Sequence, residues 1–314
     1  MALETTKIVA LVGGVGGAKL AHGLAQIMPQ ENLTVIVNTG DDFWHYGLRI
    51  CPDLDTVMYT LGGVVDPTNG WGVDGDSDAM LRALRRFGEE PWFRLGDQDL
   101  ATHVLRTQAL HSGECLTDIT LRLSKALGIR CAILPMTDAE TPTIVDTIEH
   151  GTLAFQEYFV RHRWQPTVRA LDYNDARHAH MTLQVEQAIR QADVLLIAPS
   201  NPWLSIEPIL HLNGMRDLVL SRSIPRIAIS PIIGGKAIKG PAAKLMTELG
   251  YKVDARSIAQ HYGQIITGFV YDQVDADMEP PSQPHLVCDT IMRSDADRAR
   301  LARAIINWIE SRAS

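Results

Sequence analysis

Ile8-Val9-Ala10-Leu11-Val12-Gly13-Gly14-Val15-Gly16-Gly17-Ala18-Lys19 decides the fold of this chain. Lys7–Val12 is brief and rich in Val, Ile and Leu, as expected of a strand buried on both faces. After four glycines in five positions, Leu20, Gly23, Leu24 and Ile27 fall on one face at helical spacing. Strand, glycine turn and helix start, in that order, are what an anion-binding turn requires. Glycines let the backbone approach the anion, and the new helix offers unpaired N–H groups and the positive end of its dipole. The standard fingerprints do not match. No Lys-Ser or Lys-Thr follows, so this is not a Walker A loop, and Lys19 stands where a dinucleotide turn has its third glycine. Lys19, one turn into the helix, meets either phosphate or solvent.

Outward from this stretch, similar apolar runs recur at Leu33–Val37, Arg130–Leu134, Val194–Ala198 and Arg226–Ile229. Helical patterns alternate with them. Val185, Ala188, Ile189 and Ala192 share one face, and Leu301, Ile305, Trp308 and Arg312 align along a final helix from about Asp295 to Arg312. The alternation predicts an α/β protein with a Rossmann-like three-layer core and a mostly parallel sheet. Between Asp76 and Leu127 the alternation stops. Three helical patterns, Asp76–Phe87, Ala101–Ser112 and Leu116–Leu127, predict a small inserted helical subdomain. The expected division is a core of residues 1–75 and 129–314 with an insertion at 76–128. Glu279–Pro284 reads as a proline loop.

Composition narrows the function classes. The 314 residues carry 29 basic and 37 acidic side chains, a formal charge of −8, which argues against a sequence-independent nucleic-acid binder. Cys51, Cys115, Cys131 and Cys288 form no CxxC pair and read as isolated reduced thiols. No signal-peptide pattern and no apolar stretch of about 18 residues is present, so a cytoplasmic protein without a membrane partner is expected.

Ligands of a parallel sheet collect at the carboxyl ends of its strands. Besides the glycine loop, three such ends carry suggestive residues. Leu33–Val37 runs into Asn38-Thr39-Gly40-Asp41-Asp42, followed by Cys51-Pro52-Asp53-Leu54-Asp55-Thr56. These carboxylates suit Mg²⁺, which takes one or two carboxylates with phosphate oxygens and water; equally, Asp53 or Asp55 is a helix N-cap. Val194–Ala198 ends in Pro199-Ser200-Asn201-Pro202. Arg226–Ile229 ends in Ser230-Pro231-Ile232-Ile233-Gly234-Gly235, with Lys236, Lys239 and Lys244 beyond. Gly13, Gly14, Gly16, Gly17, Lys19, Ser200, Asn201, Ser230, Gly234 and Gly235 are the candidate nucleotide-binding residues. Asp99 is a plausible N-cap, and His103 reads as structural before catalytic. Trp71, Trp92 and Phe93 are core residues or a wall for a planar ring.

Taken together, these motifs, with Leu95-Gly96-Asp97 and Ala101-Thr102-His103, resemble the 2-phospho-L-lactate transferases of coenzyme F420 biosynthesis, the CofD/FbiA family, over nearly the whole chain. The resemblance implies a Mg²⁺-dependent homodimer. It implies transfer of a phosphorylated three-carbon acid (2-phospholactyl, phosphoenolpyruvyl or phosphoglyceryl) from a guanosine diphosphate conjugate to the ribityl hydroxyl of the deazaflavin Fo, with GMP leaving. Carried over by motif, Asp55 and Arg94 contact Fo, Asp42, Asp55 and Asp41 hold the metal, and Asp55 or Asp53 accepts the hydroxyl proton. Two departures bear on donor choice: Gln98 replaces an arginine of many relatives, and Thr137-Asp138-Ala139 replaces Ser-Asp-Asp. The rival expectation is a non-catalytic nucleotide-sugar-binding regulator. Relatives of that kind carry a Gly-Ser-rich stretch where this chain has Pro52–Thr56.

Overall fold

The computed structural model of the chain describes residues 3–313. Its centre is a sheet of seven parallel strands: β1 (Ile8–Val12), β2 (Leu33–Val37), β3 (Ala132–Pro135), β4 (Val194–Ile197), β5 (Arg226–Ile229), β6 (Gly268–Asp272) and β7 (His285–Cys288). Their order across the sheet is β7-β6-β5-β4-β1-β2-β3. Every neighbouring pair is parallel, with Ile8 opposite Leu33 on one side of β1 and opposite Val194 on the other. The five expected strands are all present. β6 and β7 extend the sheet beyond them.

Because β1 is covered on both faces, its side chains alternate between two cores. Ile8, Ala10 and Val12 pack with Leu20 and Leu24 of helix α1 (Val15–Ile27), Leu54 and Val57 of α2 (Pro52–Leu61), and Leu301 and Ile305 of the C-terminal helix Asp295–Ala313. Val9 and Leu11 pack on the opposite face with Val185, Ile189, Ile206 and Ile258. The C-terminal helix lies so close to α1 that a Cβ on Gly23 would overlap the carbonyl oxygen of Arg298.

The region between β2 and β3 carries α3 (Ala79–Arg86), α4 (Asp99–His111) and α5 (Leu116–Ala126). Leu116, Ile119 and Leu123 of α5 belong to the same core as α1 and α2. A hairpin, Phe43–His45 with Leu48–Ile50, precedes these helices. A small antiparallel sheet follows β3, with Ile144–Thr147 between Gly151–Ala154 and Val168–Asp172. Neither was expected from the sequence. Among the described residues, no helix is long and apolar enough to cross a membrane.

The chain leaves β1 toward β2 and β3 on one side, and adds β4 to β7 on the other. The strand order therefore reverses between β1 and β4, which opens a crevice at their carboxyl ends.

Candidate functional site

A cavity of about 680 Å³ occupies that crevice. Its floor is the glycine loop. A Cβ on Gly16 would overlap the carbonyl oxygen of Pro199, and one on Gly14 would lie 2.6 Å from Asp53 Oδ1. The glycines thus let the turn after β1 pack against the Pro199-Ser200 turn and α2. Gly13 N–H donates to Ser200 Oγ at 3.0 Å, which fixes the two turns together. No side chain caps α1, so its first turn keeps its anion-binding character. Gly14, Gly16, Lys19, Ser200, Asn201 and Ser230 line the cavity; Gly13 and Gly17 lie behind it. Gly234 and Gly235 are also outside. Both have positive φ, 56° and 71°, and form the turn between the short strands Ile232–Ile233 and Lys236–Ala237.

Two further cations belong to the lining, Lys239 and Arg94. Lys19 Nζ donates to Met292 O at 3.1 Å. Burial, with Arg298 and Lys239 nearby, lowers its pKa. Asn201 Oδ1 accepts from the Trp203 and Leu204 N–H groups, while its Nδ2 is a buried donor without a protein partner among the described residues.

Beside the glycine loop stand carboxylates. Asp41, Asp53, Asp55 and Asp99 line it; Asp42 does not, and faces Arg49 at 3.6 Å. α2 begins with Pro52 after Cys51 and has no side-chain cap, so neither Asp53 nor Asp55 is spent on capping. Asn38 Nδ2 donates to both Asp41 Oδ1 (3.1 Å) and Asp53 Oδ2 (3.0 Å), which brings the two carboxylates together. Gln156 Nε2 donates to Asp41 Oδ2 at 3.2 Å. Burial pushes the Asp53 carboxyl up to about 7, against the Asn38 hydrogen bond. Burial, then Asp53 and Asp42, holds Asp41 well above the usual carboxylate range. Asp42 is likewise pushed up to about 7 by burial, opposed by Arg49.

Asp55 is different. Arg106 of α4, 1% exposed, grips it with both terminal nitrogens: NH1 donates to Oδ2 at 3.1 Å, and NH2 donates to Oδ1. His103 lies against the pair, with Nδ1 3.6 Å from Asp55 Oδ2 and Nε2 3.2 Å from Asp99 Oδ2. Tyr59 O–H donates to Asp99 Oδ1 at 2.6 Å. Asp99 is the first residue of α4, and its side chain turns to Tyr59 and His103 instead of capping the helix. Asp55, Asp99 and His103 have the closeness of a metal-ligand set, but a guanidinium hydrogen-bonded to one of them would repel a dication. Asp41 and Asp53 fit better. Asp41 is buried and Asp53 half-buried, and both are oxygen-only, short of balancing positive charge and open to the cavity.

Aromatic side chains form the remaining wall. Trp71 and Phe93 line the cavity, with the Arg94 guanidinium 5.8 Å from the Trp71 ring. Phe155 and Phe159, from the segment that joins Gly151–Ala154 to Val168–Asp172 in the small sheet, are stacked at 5.3 Å. Trp92 instead packs on Phe43 and His45 outside the cavity. Arg106, Tyr59, Gln156, Phe155 and Phe159 belong to the site without having been expected there from the sequence. For Arg106 one signal existed: it lies three residues after His103, on the same helix face.

Known proteins resemble this chain along nearly its whole length. A family model described as 2-phospho-L-lactate transferase CofD matches residues 8–309. The 2-phospho-L-lactate transferase of Methanosarcina mazei is 38% identical over 299 residues, 94% of this chain and 97% of that protein. The phosphoenolpyruvate transferase of Streptomyces coelicolor is 41% identical over 276 residues, 86% of each chain. A solved UPF0052-family protein from Bacillus halodurans superposes with a TM-score of 0.62 over 96% of this chain and 99% of its own; at 14% identity the likeness is one of fold. With the family model spanning nearly the whole chain, and relatives of this identity along almost all of it, the protein is a transferase enzyme of the CofD family.

Proposed function

We infer that this enzyme builds coenzyme F420-0, or its dehydro form, by moving a phosphorylated three-carbon acid from a guanosine diphosphate conjugate to the ribityl hydroxyl of Fo. The observation that carries this reading is the polarity of one cavity. The glycine loop and its lysines form an anion-binding side, the carboxylates face it, and aromatic rings supply a wall for a planar heterocycle. The M. mazei and S. coelicolor relatives are named for phospholactate and phosphoenolpyruvate. The lactyl and enolpyruvyl conjugates are therefore the first donors to test, with the glyceryl conjugate as the third.

In the proposed reaction the terminal ribityl oxygen attacks the phosphorus bearing the three-carbon acid. A new P–O bond forms, the bond from that phosphorus to the bridging diphosphate oxygen breaks, and GMP leaves with the electron pair. Such a step depends on positioning and charge neutralisation. Gly14, Gly16 and Lys19 would seat the diphosphate at the start of α1. Asn201 and Ser230 would orient the nucleotide, and Trp71 with Arg94 would flank the deazaflavin ring. Asp55, held by Arg106, would accept the hydrogen bond of the ribityl hydroxyl and then its proton. Asp41 and Asp53 would hold Mg²⁺, which supplies neutralisation of phosphate charge. The family likeness leads us to expect a cytoplasmic homodimer, checked by light scattering.

The test is incubation of Fo and Mg²⁺ with each of the three guanosine diphosphate conjugates, with products weighed by mass spectrometry. An F420-0 mass with stoichiometric GMP is expected from at least one donor. Failure of all three, with Fo binding intact by fluorescence, refutes the donor assignment. An Asp55→Asn enzyme with wild-type turnover refutes the role given to Asp55.

A further inference from the structure

The anion-binding side of the cavity has a roof. After the Gly234-Gly235 turn the chain passes through Ile238 and Lys239 to Gly240, whose φ is 72°. Lys239 Nζ crosses to the turn at residues 66–72 and donates to Asn69 O at 2.6 Å. That turn is held by Asp66, whose carboxylate accepts from Thr68 N–H and from Asn69 Nδ2. It rests on the start of α1: a Cβ on Gly70 would lie 3.0 Å from Val15 Cγ1 and 3.5 Å from Lys239 Nζ. Lys239 and residues 66–72 therefore form a strap directly over the glycine loop.

The charge of this strap is unspent. Among the described residues, neither Lys19 nor Lys239 has a carboxylate at ion-pair distance. Each ammonium donates to a main-chain carbonyl instead. Lys19 and Lys239 are near enough to repel one another, and each contributes to a site already furnished with a helix N-terminus. Two like charges held beside a helix start, with only neutral acceptors, are arranged for an anion that both can reach. A charge-assisted hydrogen bond to phosphate is stronger than one to a carbonyl, so an arriving diphosphate would draw Lys239 away from Asn69 and close the strap on itself.

We propose that Lys239 is a diphosphate-binding residue, delivered by a strap that exchanges the Asn69 carbonyl for the phosphate seated at the start of α1. This rests on the reading of the donor as a nucleoside diphosphate ester. It adds a specific residue, and a preference for two phosphates over one.

Calorimetric titration of the full-length protein in Mg²⁺ tests it, with GDP, GMP and inorganic diphosphate as probes and Fo fluorescence as the check on folding. Lys239→Met should weaken GDP and inorganic diphosphate by about 10- to 100-fold. GMP should change by less than threefold and Fo not at all, and Lys239→Arg should retain most of the affinity. Diphosphate and GDP binding within twofold of wild type in Lys239→Met overturns the proposal, as does an equal loss for GMP. A wild-type protein that binds inorganic diphosphate but not GDP overturns the donor reading and leaves the role of Lys239 to the diphosphate arm. Wild-type protein that binds neither overturns both.

Discussion

Replacing Arg106 by Met should unfold this protein more readily than any change of comparable size on its surface. Arg106 is 1% exposed and donates to both oxygens of Asp55 and, at 3.3 Å, to Arg49 O. At about 3 Å and an effective dielectric of about 20, the attraction between the two charges is about 5 kcal/mol. Removing one partner of such a buried pair typically costs about 3–5 kcal/mol, because the other charge is left in a poorly solvating site. Met keeps most of the aliphatic volume, so the loss reports mainly on charge. The diagnostic measurement is a double-mutant cycle by urea denaturation on Arg106→Met, Asp55→Asn and the pair. If stranded charge is the cause, adding Asp55→Asn to Arg106→Met should restore at least about 2 kcal/mol, far from additivity. Effects that add within about 0.5 kcal/mol would refute the pairing as the source of stability.

Other consequences are as concrete. Gly23→Ala should cost about 1–3 kcal/mol in thermal or urea unfolding, because its methyl must displace the Arg298 backbone of the C-terminal helix; an unchanged melting temperature would contradict the close packing. Gly16→Ala meets the Pro199 carbonyl and pushes the start of α1 from the Ser200 turn, so GDP affinity should fall at least tenfold while Fo affinity, read by fluorescence, stays within twofold. The Asp42 and Asp53 carboxyls, held at about 7, lie above their unfolded value of about 4. The native state therefore binds more protons between these values, and the metal-free protein loses stability as pH rises from about 4 through 7. Mg²⁺ binds the deprotonated carboxylates, so its stabilising shift in melting temperature should be larger at pH 8 than at pH 5.5; equal shifts would count against Asp41 and Asp53 as its ligands.

Why some of this was legible and some was not has physical causes. β1 with the glycine loop could be read because Ile8–Val12 is buried on both faces and nothing polar interrupts it. β6, Gly268-Phe269-Val270-Tyr271-Asp272, hides the same burial behind a glycine and an acid. Gly268 is small because a Cβ there would lie 2.7 Å from the Trp308 ring, a tertiary demand invisible locally. β7 is an edge strand of three half-covered residues and the exposed Val287, with no long apolar run. At the site, the carboxylates of Asp41, Asp53 and Asp55 could be expected near the glycine loop from the strand-end rule. What each carboxylate faces could not. Arg106 lies 51 positions from Asp55, and an arginine in an amphipathic helix ordinarily points to solvent. Pro52 as the first helical residue and Cys51 as the cap resolve the choice between capping and the cavity for Asp53 and Asp55, which spacing alone left open.

The closeness of the two sides of the cavity leads to a last expectation. Asp53 Oδ1 lies against Gly14, so the carboxylate corner and the proposed diphosphate seat adjoin. Without a cation, and above about pH 7 where the Asp53 carboxyl has lost its proton, a diphosphate there would face that charge across a poorly screened gap. An acidic chain can therefore bind a polyanion only if that corner is neutralised. The proposed Fo wall of Trp71 and Phe93 carries no such conflict. Chelating Mg²⁺ should thus weaken GDP strongly and Fo little. At pH 8, above the value of about 7 to which burial pushes the Asp53 carboxyl, Asp53→Asn should bind GDP more tightly than wild type in chelator, because one repelling charge is gone, and should gain less from added Mg²⁺, because one ligand is weakened. Calorimetric titrations of GDP with and without Mg²⁺ on the two proteins give the four affinities needed. Equal Mg²⁺ gains in wild type and Asp53→Asn would show that the metal acts elsewhere. Weaker metal-free GDP binding by Asp53→Asn would show that repulsion at this corner is not what the metal relieves.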